Sequence, residues 1–181
     1  ENYLANLDRF DLLVRTPGLH PSKITAANPD APNILDKVTT TINEFFEKCP
    51  APIIGVTGTK GKGTTSTLIY KFLDAAGKKT FLGGNIGTVP LDFLAQVSSD
   101  SYVVLELSNF QLIDFKYRPS VGVCLMVAPE HLDWHPTKEE YFAAKATLYS
   151  RQTPEDRVVF NAGNGISKKI TEASKANKIP Y

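Results

Sequence analysis

Residues 53–65 read Ile53-Ile54-Gly55-Val56-Thr57-Gly58-Thr59-Lys60-Gly61-Lys62-Gly63-Thr64-Thr65. The apolar start is of strand type. Downstream, Thr65, Leu68, Ile69, Phe72, Leu73 and Ala76 recur at helical spacing, with Gly77 placed to cap them. Between strand and helix, glycines let backbone N–H groups approach phosphate oxygens, and the helix N-terminus adds partial positive charge. Lys62 can reach β and γ phosphates, and the hydroxyl of Thr64 or Thr65 can ligate Mg²⁺. The general GxxxxGK[ST] pattern is met imperfectly: Val56 stands at the first glycine and Gly63 follows the lysine. The plainer alternative is a glycine-rich turn that only caps a helix. The flanking strand and helix and the threonines favour phosphate binding by the loop 58–65, that is Gly58, Thr59, Lys60, Gly61, Lys62, Gly63, Thr64 and Thr65. A dinucleotide fingerprint fails because Ser66 occupies its last glycine position.

Working toward the C-terminus, strand and helix signals alternate. Thr80 to Leu82 reads as a strand entering Gly83-Gly84-Asn85, and Leu91 to Val97 as a helix. Tyr102 to Leu107 and Val121 to Val127 are apolar runs expected for strands buried on both faces. Thr137-Lys138-Glu139-Glu140 predicts a capping box opening a helix to about Tyr149. Arg157 to Phe160 reads as a strand and Ile166 to Ala176 as a helix. Toward the N-terminus, Phe10 to Val14 reads as a strand stopped by Thr16-Pro17-Gly18, the Pro- and Asn-rich residues 19–33 as a loop, and 34–48 as a helix. Cys49-Pro50-Ala51-Pro52 is the expected domain boundary. The fold class expected is α/β: a mostly parallel sheet with helices on both faces, residues 51–181, preceded by a remnant of an N-terminal α/β domain and linker helix over 1–50.

Twenty basic side chains nearly balance nineteen acidic ones in 181 residues. The net charge of +1 argues against a general nucleic-acid binder. No apolar run reaches membrane-span length and no signal peptide is visible. Cys49 and Cys124 form no CxxC unit and read as free thiols, which fits a cytoplasmic location. The chain opens on Glu1, its one methionine is Met126, and both ends fall in mid-pattern, so it reads as a piece of a longer protein. Sequence leaves the oligomeric state open, a monomer included.

In open parallel sheets, ligands bind beyond the carboxyl ends of the strands. Lys62, Asn85, Glu106 and His131 each fall at or beyond such an end and should gather at one edge. Glu106 ends an apolar strand, where an unpaired carboxylate is costly to bury; Mg²⁺ would offset it, and a neighbouring lysine is the alternative. His131 and His135 are four apart, yet HExxH is absent and Pro136 disfavours a helix through both. On the residues alone each histidine is a structural one. Tyr141, Ala144, Lys145, Leu148 and Tyr149 share one helix face, which puts a lysine among apolar residues. Burial would lower its pKa; snorkelling to solvent is the ordinary alternative. Asn161 follows a strand and reads equally as a turn residue.

The strings Thr57 to Lys62, Gly83-Gly84-Asn85-Ile86-Gly87, Leu105-Glu106-Leu107-Ser108-Asn109-Phe110-Gln111-Leu112, Glu130-His131-Leu132-Asp133, Tyr141 to Lys145 and Val159-Phe160-Asn161 together resemble the Mur ligase family. The second and third strings favour its branch that joins D-glutamate to UDP-N-acetylmuramoyl-L-alanine with ATP, in peptidoglycan synthesis. The resemblance covers residue 53 to the end and extends less specifically to Thr16-Pro17-Gly18, which is similar to the turn ending the family's UDP-binding domain. Most of that first domain, and the family's third, would lie outside this chain. The resemblance implies a two-step, acyl-phosphate reaction with catalytic roles for Lys62, His131 and Lys145. It implies one Mg²⁺ held by Thr64 or Thr65 with Glu106, and a second by His131 and a carbamylated Lys145. It implies nucleotide contact at Asn161 and substrate contact at Gly18, Asn85 and Ser108. His135 keeps a structural reading. Gly-Lys-Gly before a hydroxyl residue also resembles the folylpolyglutamate synthases of the same superfamily, with Thr64 on the metal. Two other readings are an ATP-binding module without ligase activity and, more distantly, a generic P-loop phosphotransferase.

Overall fold

The computed structural model describes residues 3–181. In chain order its elements are β1 (Leu13–Val14), α1 (Pro21–Ala27), β2 (Val38–Thr39), α2 (Thr41–Lys48), β3 (Ile53–Thr57), α3 (Lys62–Ala75), β4 (Thr80–Gly84), α4 (Pro90–Phe93), β5 (Tyr102–Glu106), α5 (Asn109–Leu112), β6 (Val121–Cys124), α6 (Lys138–Ser150), β7 (Arg157–Phe160), α7 (Gly165–Thr171) and β8 (Asn177–Pro180). Two sheets form. β1 and β2 pair in parallel, and six strands run in the order β4-β5-β3-β6-β7-β8 with every pairing parallel. The expected α/β class holds.

Alternation along the central strands sorts side chains to opposite faces. Ile53, Val103, Leu105, Cys124 and Val158 join a core with α2, α4, α6 and α7, built from Phe45, Phe46, Phe93, Leu148, Tyr149 and Ile170. Val56, Val104 and Val123 face the other way, against Ile69, Tyr70 and Leu73 of α3. β3 lies centrally. The chain first visits β4 and β5 on one side, then crosses to β6, β7 and β8 on the other. The loop after β3 therefore sits where connections diverge, the usual place for a ligand in such sheets.

Several sequence expectations are corrected. Residues 19–33 are not all loop: Pro21 starts α1, and the His20 ring accepts from Ser22 N–H as an N-cap. Residues 34–48 are not one helix. A 3₁₀ turn (Ile34–Lys37) and β2 precede α2, whose N-cap is Thr40. Thr39 and Thr40 lie extended because β2 pairs with β1, and that long-range ladder outweighs the local apolar spacing. The strand at 10–14 shrinks to its last two residues, and the helix at 91–97 becomes α4 plus a 3₁₀ turn. The strand at 121–127 stops at Cys124. The last helix stops at Thr171, and Asn177–Pro180 adds an unforeseen edge strand. On α3 the expected face is half right: Ile69 and Leu73 pack, whereas Leu68 and Phe72 are exposed, because only one side of the helix meets the sheet.

Candidate active site

The loop from Gly58 to Gly61 owes its shape to its glycines. Gly58 has φ 153°, and a Cβ there would stand 2.7 Å from Leu125 Cβ; Gly61 has φ 85° and forms the N-cap of α3. No side chain caps α3, so its first-turn N–H groups stay open at the positive end of a fourteen-residue helix. Lys62 is the first helical residue. Its Nζ donates to Thr59 O at 3.0 Å, closing the loop on itself. Thr59 anchors the loop from below: its N–H donates to Met126 O, and its hydroxyl meets Ala128 O and Tyr141 Oη, both at 2.9 Å. Sequence reading gave Tyr141 only a packing role. Its hydroxyl's partner lies 82 positions away, beyond any local signal.

Glu106 ends β5 and is buried. Asn85 Nδ2 donates to its Oε1 at 2.9 Å, and Asn85 N–H to its backbone oxygen at 2.8 Å. Gly84, at φ 105°, permits that contact, since a Cβ there would sit 2.1 Å from Glu106 O. The other carboxylate oxygen faces α3: a Cβ on Gly63 would lie 3.1 Å from Oε2. Among the described residues no lysine or arginine pairs with Glu106. Gly63, Asn85 and Glu106 thus meet at the strand ends, with Lys62 next to Gly63 at the start of α3, while His131, expected at the same edge, packs on Phe110 in the loop after β6. The donor set fits a hard cation: an oxygen-only carboxylate, buried without a counter-charge, beside the helix turn that carries Thr64. Thr64 is exposed, whereas Thr65 is half-buried in an apolar groove of about 500 Å³ with Ile54, Ile69, Leu125 and Val159.

Lys145 is buried, and its Nζ donates to Gly58 O at 3.0 Å and lies 4.7 Å from the Tyr141 ring centre. Snorkelling is excluded. Burial first, and the nearby Lys62 charge second, lower its pKa to about 7 from 10.5. An ammonium has no lone pair for a metal, so the residue needs its neutral or modified form to act as a ligand. His131, in the loop after β6, has φ 55°, packs its exposed ring on Phe110 at 4.8 Å and lies 3.6 Å from Glu130. It is not part of the group of closely spaced donors found among the described residues, which is His20, His135 and Glu140. His135 is buried between Asn109 and Glu140, as its structural reading expects.

The remaining candidates are more local. Ser108 N–H and Oγ both donate to Gln111 Oε1, a cap on α5. Asn161 Oδ1 accepts from Gly163 N–H, a turn contact. Gly18 O accepts from Trp134 Nε1 at 3.0 Å, tying the N-terminal turn to the His131 loop. Arg15 gave no sequence signal. It is buried, bidentate to Asp114 at 2.7 Å, and donates also to Thr16, Pro17, Leu19 and Phe110 carbonyls.

The chain is 42% identical over its whole length to UDP-N-acetylmuramoylalanine–D-glutamate ligase of Acetivibrio thermocellus, covering 38% of that protein. It is 43% identical to the same-named ligase of Symbiobacterium thermophilum, covering 39%. The chain therefore spans under two fifths of these relatives' length. Among solved structures, the UDP-N-acetylmuramate:L-alanyl-γ-D-glutamyl-meso-diaminopimelate ligase of Neisseria meningitides aligns over 97% of this chain and 60% of its own at TM-score 0.63 and 20% identity. The MurF ligase of Thermotoga maritima, solved with ADP, aligns over 80% and 38% at 0.60 and 22%. These two share the fold. The model of the Mur ligase middle domain matches residues 56–181, and the chain belongs to that family.

Proposed function

We propose that this chain is the ATP-binding part of a ligase that joins D-glutamate to UDP-N-acetylmuramoyl-L-alanine. One observation carries the phosphate and metal part of this reading: a buried Glu106 without a cationic partner among the described residues, facing the uncapped start of α3. The names of the 42% and 43% identical relatives support the choice of substrates. Residues 1–50 are read as belonging to a UDP-substrate domain with its linker, and 51–181 to the ATP-binding domain. A cytoplasmic location fits the two free thiols.

ATP would lie with its phosphates on the α3 N-terminus, and Lys62 would leave Thr59 O for the β and γ phosphate oxygens. Glu106 and Thr64 would hold Mg²⁺, which supplies charge neutralisation at the phosphates. A carboxylate oxygen of the muramoyl substrate attacks the γ phosphorus, the bond to the β-phosphate oxygen breaks, and ADP leaves an acyl phosphate. The D-glutamate amine then attacks the acyl carbon, loses a proton, and expels phosphate as the amide forms. Neutral Lys145 would add to CO₂, forming a C–N bond and releasing a proton. The resulting carbamate, with His131, would present ligands for a second Mg²⁺. Gly18, Asn85 and Ser108 are assigned to the muramoyl substrate and Asn161 to the nucleotide.

Thr64, exposed beside Gly63, also suits the folylpolyglutamate synthase pattern. The discriminating experiment is phosphate release by the full-length protein. Release with UDP-N-acetylmuramoyl-L-alanine plus D-glutamate is expected. Release only with a folate plus L-glutamate assigns the chain to the other branch.

A further inference from the structure

His20, His135 and Glu140 come from three separate places: the N-cap of α1, the loop before α6, and the first turn of α6. Their donor atoms all lie within 4.8 Å of one another. Both imidazoles aim a nitrogen at one oxygen. His20 Nε2 is 3.1 Å from Glu140 Oε1, and His135 Nδ1 is 2.8 Å from it. The opposite nitrogens are also engaged. His20 Nδ1 meets Ser22 Oγ at 2.7 Å and accepts from Ser22 N–H at 3.2 Å; His135 Nε2 meets the Asn109 side-chain amide at 2.8 Å. Both rings are buried, whereas the Glu140 side chain is 33% exposed and leaves a way in from solvent. Among the described residues Glu140 Oε2 has no hydrogen bond.

We propose that His20, His135 and Glu140 form a binding site for a divalent transition metal of the Zn²⁺ class, separate from the Mg²⁺ and nucleotide site. Two imidazoles and one carboxylate suit Zn²⁺, and three protein ligands leave a fourth position for water or Glu140 Oε2. Ligand atoms about 2.0–2.2 Å from a tetrahedral ion stand about 3.4 Å apart, so Glu140 Oε1 would draw back by a few tenths of an ångström from its present 3.1 and 2.8 Å contacts to admit the ion. No proton need leave the protein. Each neutral ring moves its one N–H proton from the nitrogen facing Glu140 to the opposite nitrogen. There His20 would donate to Ser22 Oγ, giving up the bond its Nδ1 accepts from Ser22 N–H, and His135 would donate to the Asn109 amide oxygen after that amide turns over. Such outer partners are the ones metal-binding histidines ordinarily have. The ring of Trp134, 4.5 Å from that of His20, and the ring of Phe110, stacked at 6.3 Å on that of His135, supply an apolar wall. An ion here would staple the N-terminal segment to α6 and hold the loop that carries His131.

The test is titration of the chain with Co²⁺, a coloured stand-in for Zn²⁺, under excess Mg²⁺. One equivalent should give the visible bands of a four-coordinate site. His20→Asn, which keeps an N-cap residue, and Glu140→Gln should each abolish them while circular dichroism stays unchanged. Ser22→Ala should weaken binding by about tenfold. His131→Ala and Cys49→Ser should leave the bands intact. The chain has three histidines, so the unaltered protein gives an independent readout. Zn²⁺ should shift the ring-proton resonances of His20 and His135 and leave those of His131. No saturable binding, bands that survive His20→Asn and Glu140→Gln, or shifts confined to His131 would overturn the proposal.

Discussion

Gly63 stands where phosphate loops usually place a hydroxyl residue, and its lack of a side chain is used: Glu106 Oε2 occupies the space a Cβ would approach at 3.1 Å. Gly63→Ala should therefore have two opposite effects. The helix gains about 0.5–1 kcal/mol in propensity, while Mg²⁺-dependent binding of an ATP analogue falls severalfold as Glu106 is pressed aside. Calorimetric titration with thermal melting separates the two, and unchanged binding would contradict the assignment. Lys62→Ala should remove analogue binding and change stability by less than about 0.5 kcal/mol, because the side chain fills no core space. Unaltered affinity in that variant would take Lys62 out of the site. For Lys145 the helix spacing gave the apolar face, but on the residues alone snorkelling was the ordinary outcome; its bond to Gly58 O lay beyond sequence, since the partner is 87 positions away. Its pKa of about 7 against 10.5 means the unfolded chain holds more protons between those values. In metal-free, CO₂-free buffer the protein should gain stability relative to Lys145→Met as pH rises from about 7 to about 10.5, by roughly 4 kcal/mol. Urea denaturation along that range measures it. A flat difference would mean the amine is solvated.

Elements were legible where period and punctuation agreed. β3, β5 and β7, with the helix α6 behind its Thr137 N-cap, stand close to where their apolar patterns place them. The misreadings share a cause: partners distant in sequence. β2 exists because β1 pairs with it, and β8 because β7 offers an edge, although Asn177 to Pro180 is exposed and carries no strand pattern. Arg15 shows the same limit. Its carboxylate partner is 99 positions away, yet that pair fixes the Thr16-Pro17-Gly18 turn against α5. Asp114→Ala should strand a buried guanidinium and cost about 3 kcal/mol in urea denaturation. A loss under about 0.5 kcal/mol would show that the carbonyl contacts suffice.

At the scale of the molecule, one sheet carries two chemistries on opposite sides of β3. The loop after β3 and the ends of β4 and β5 gather polar groups, while the β6–β7 half of the α3 face remains an apolar groove. The strand-end rule made the first legible from sequence. The second was not, because apolar runs do not reveal which face stays uncovered. On the proposed reading, this edge activates a carboxylate with ATP. The most direct measurement is hydroxylamine trapping with the full-length protein, Mg²⁺-ATP and UDP-N-acetylmuramoyl-L-alanine, without D-glutamate. A muramoyl hydroxamate should accumulate with ADP, and Glu106→Gln and Lys145→Ala should reduce it at least about a hundredfold. ADP formation without hydroxamate, or hydroxamate undiminished in both variants, would contradict the account.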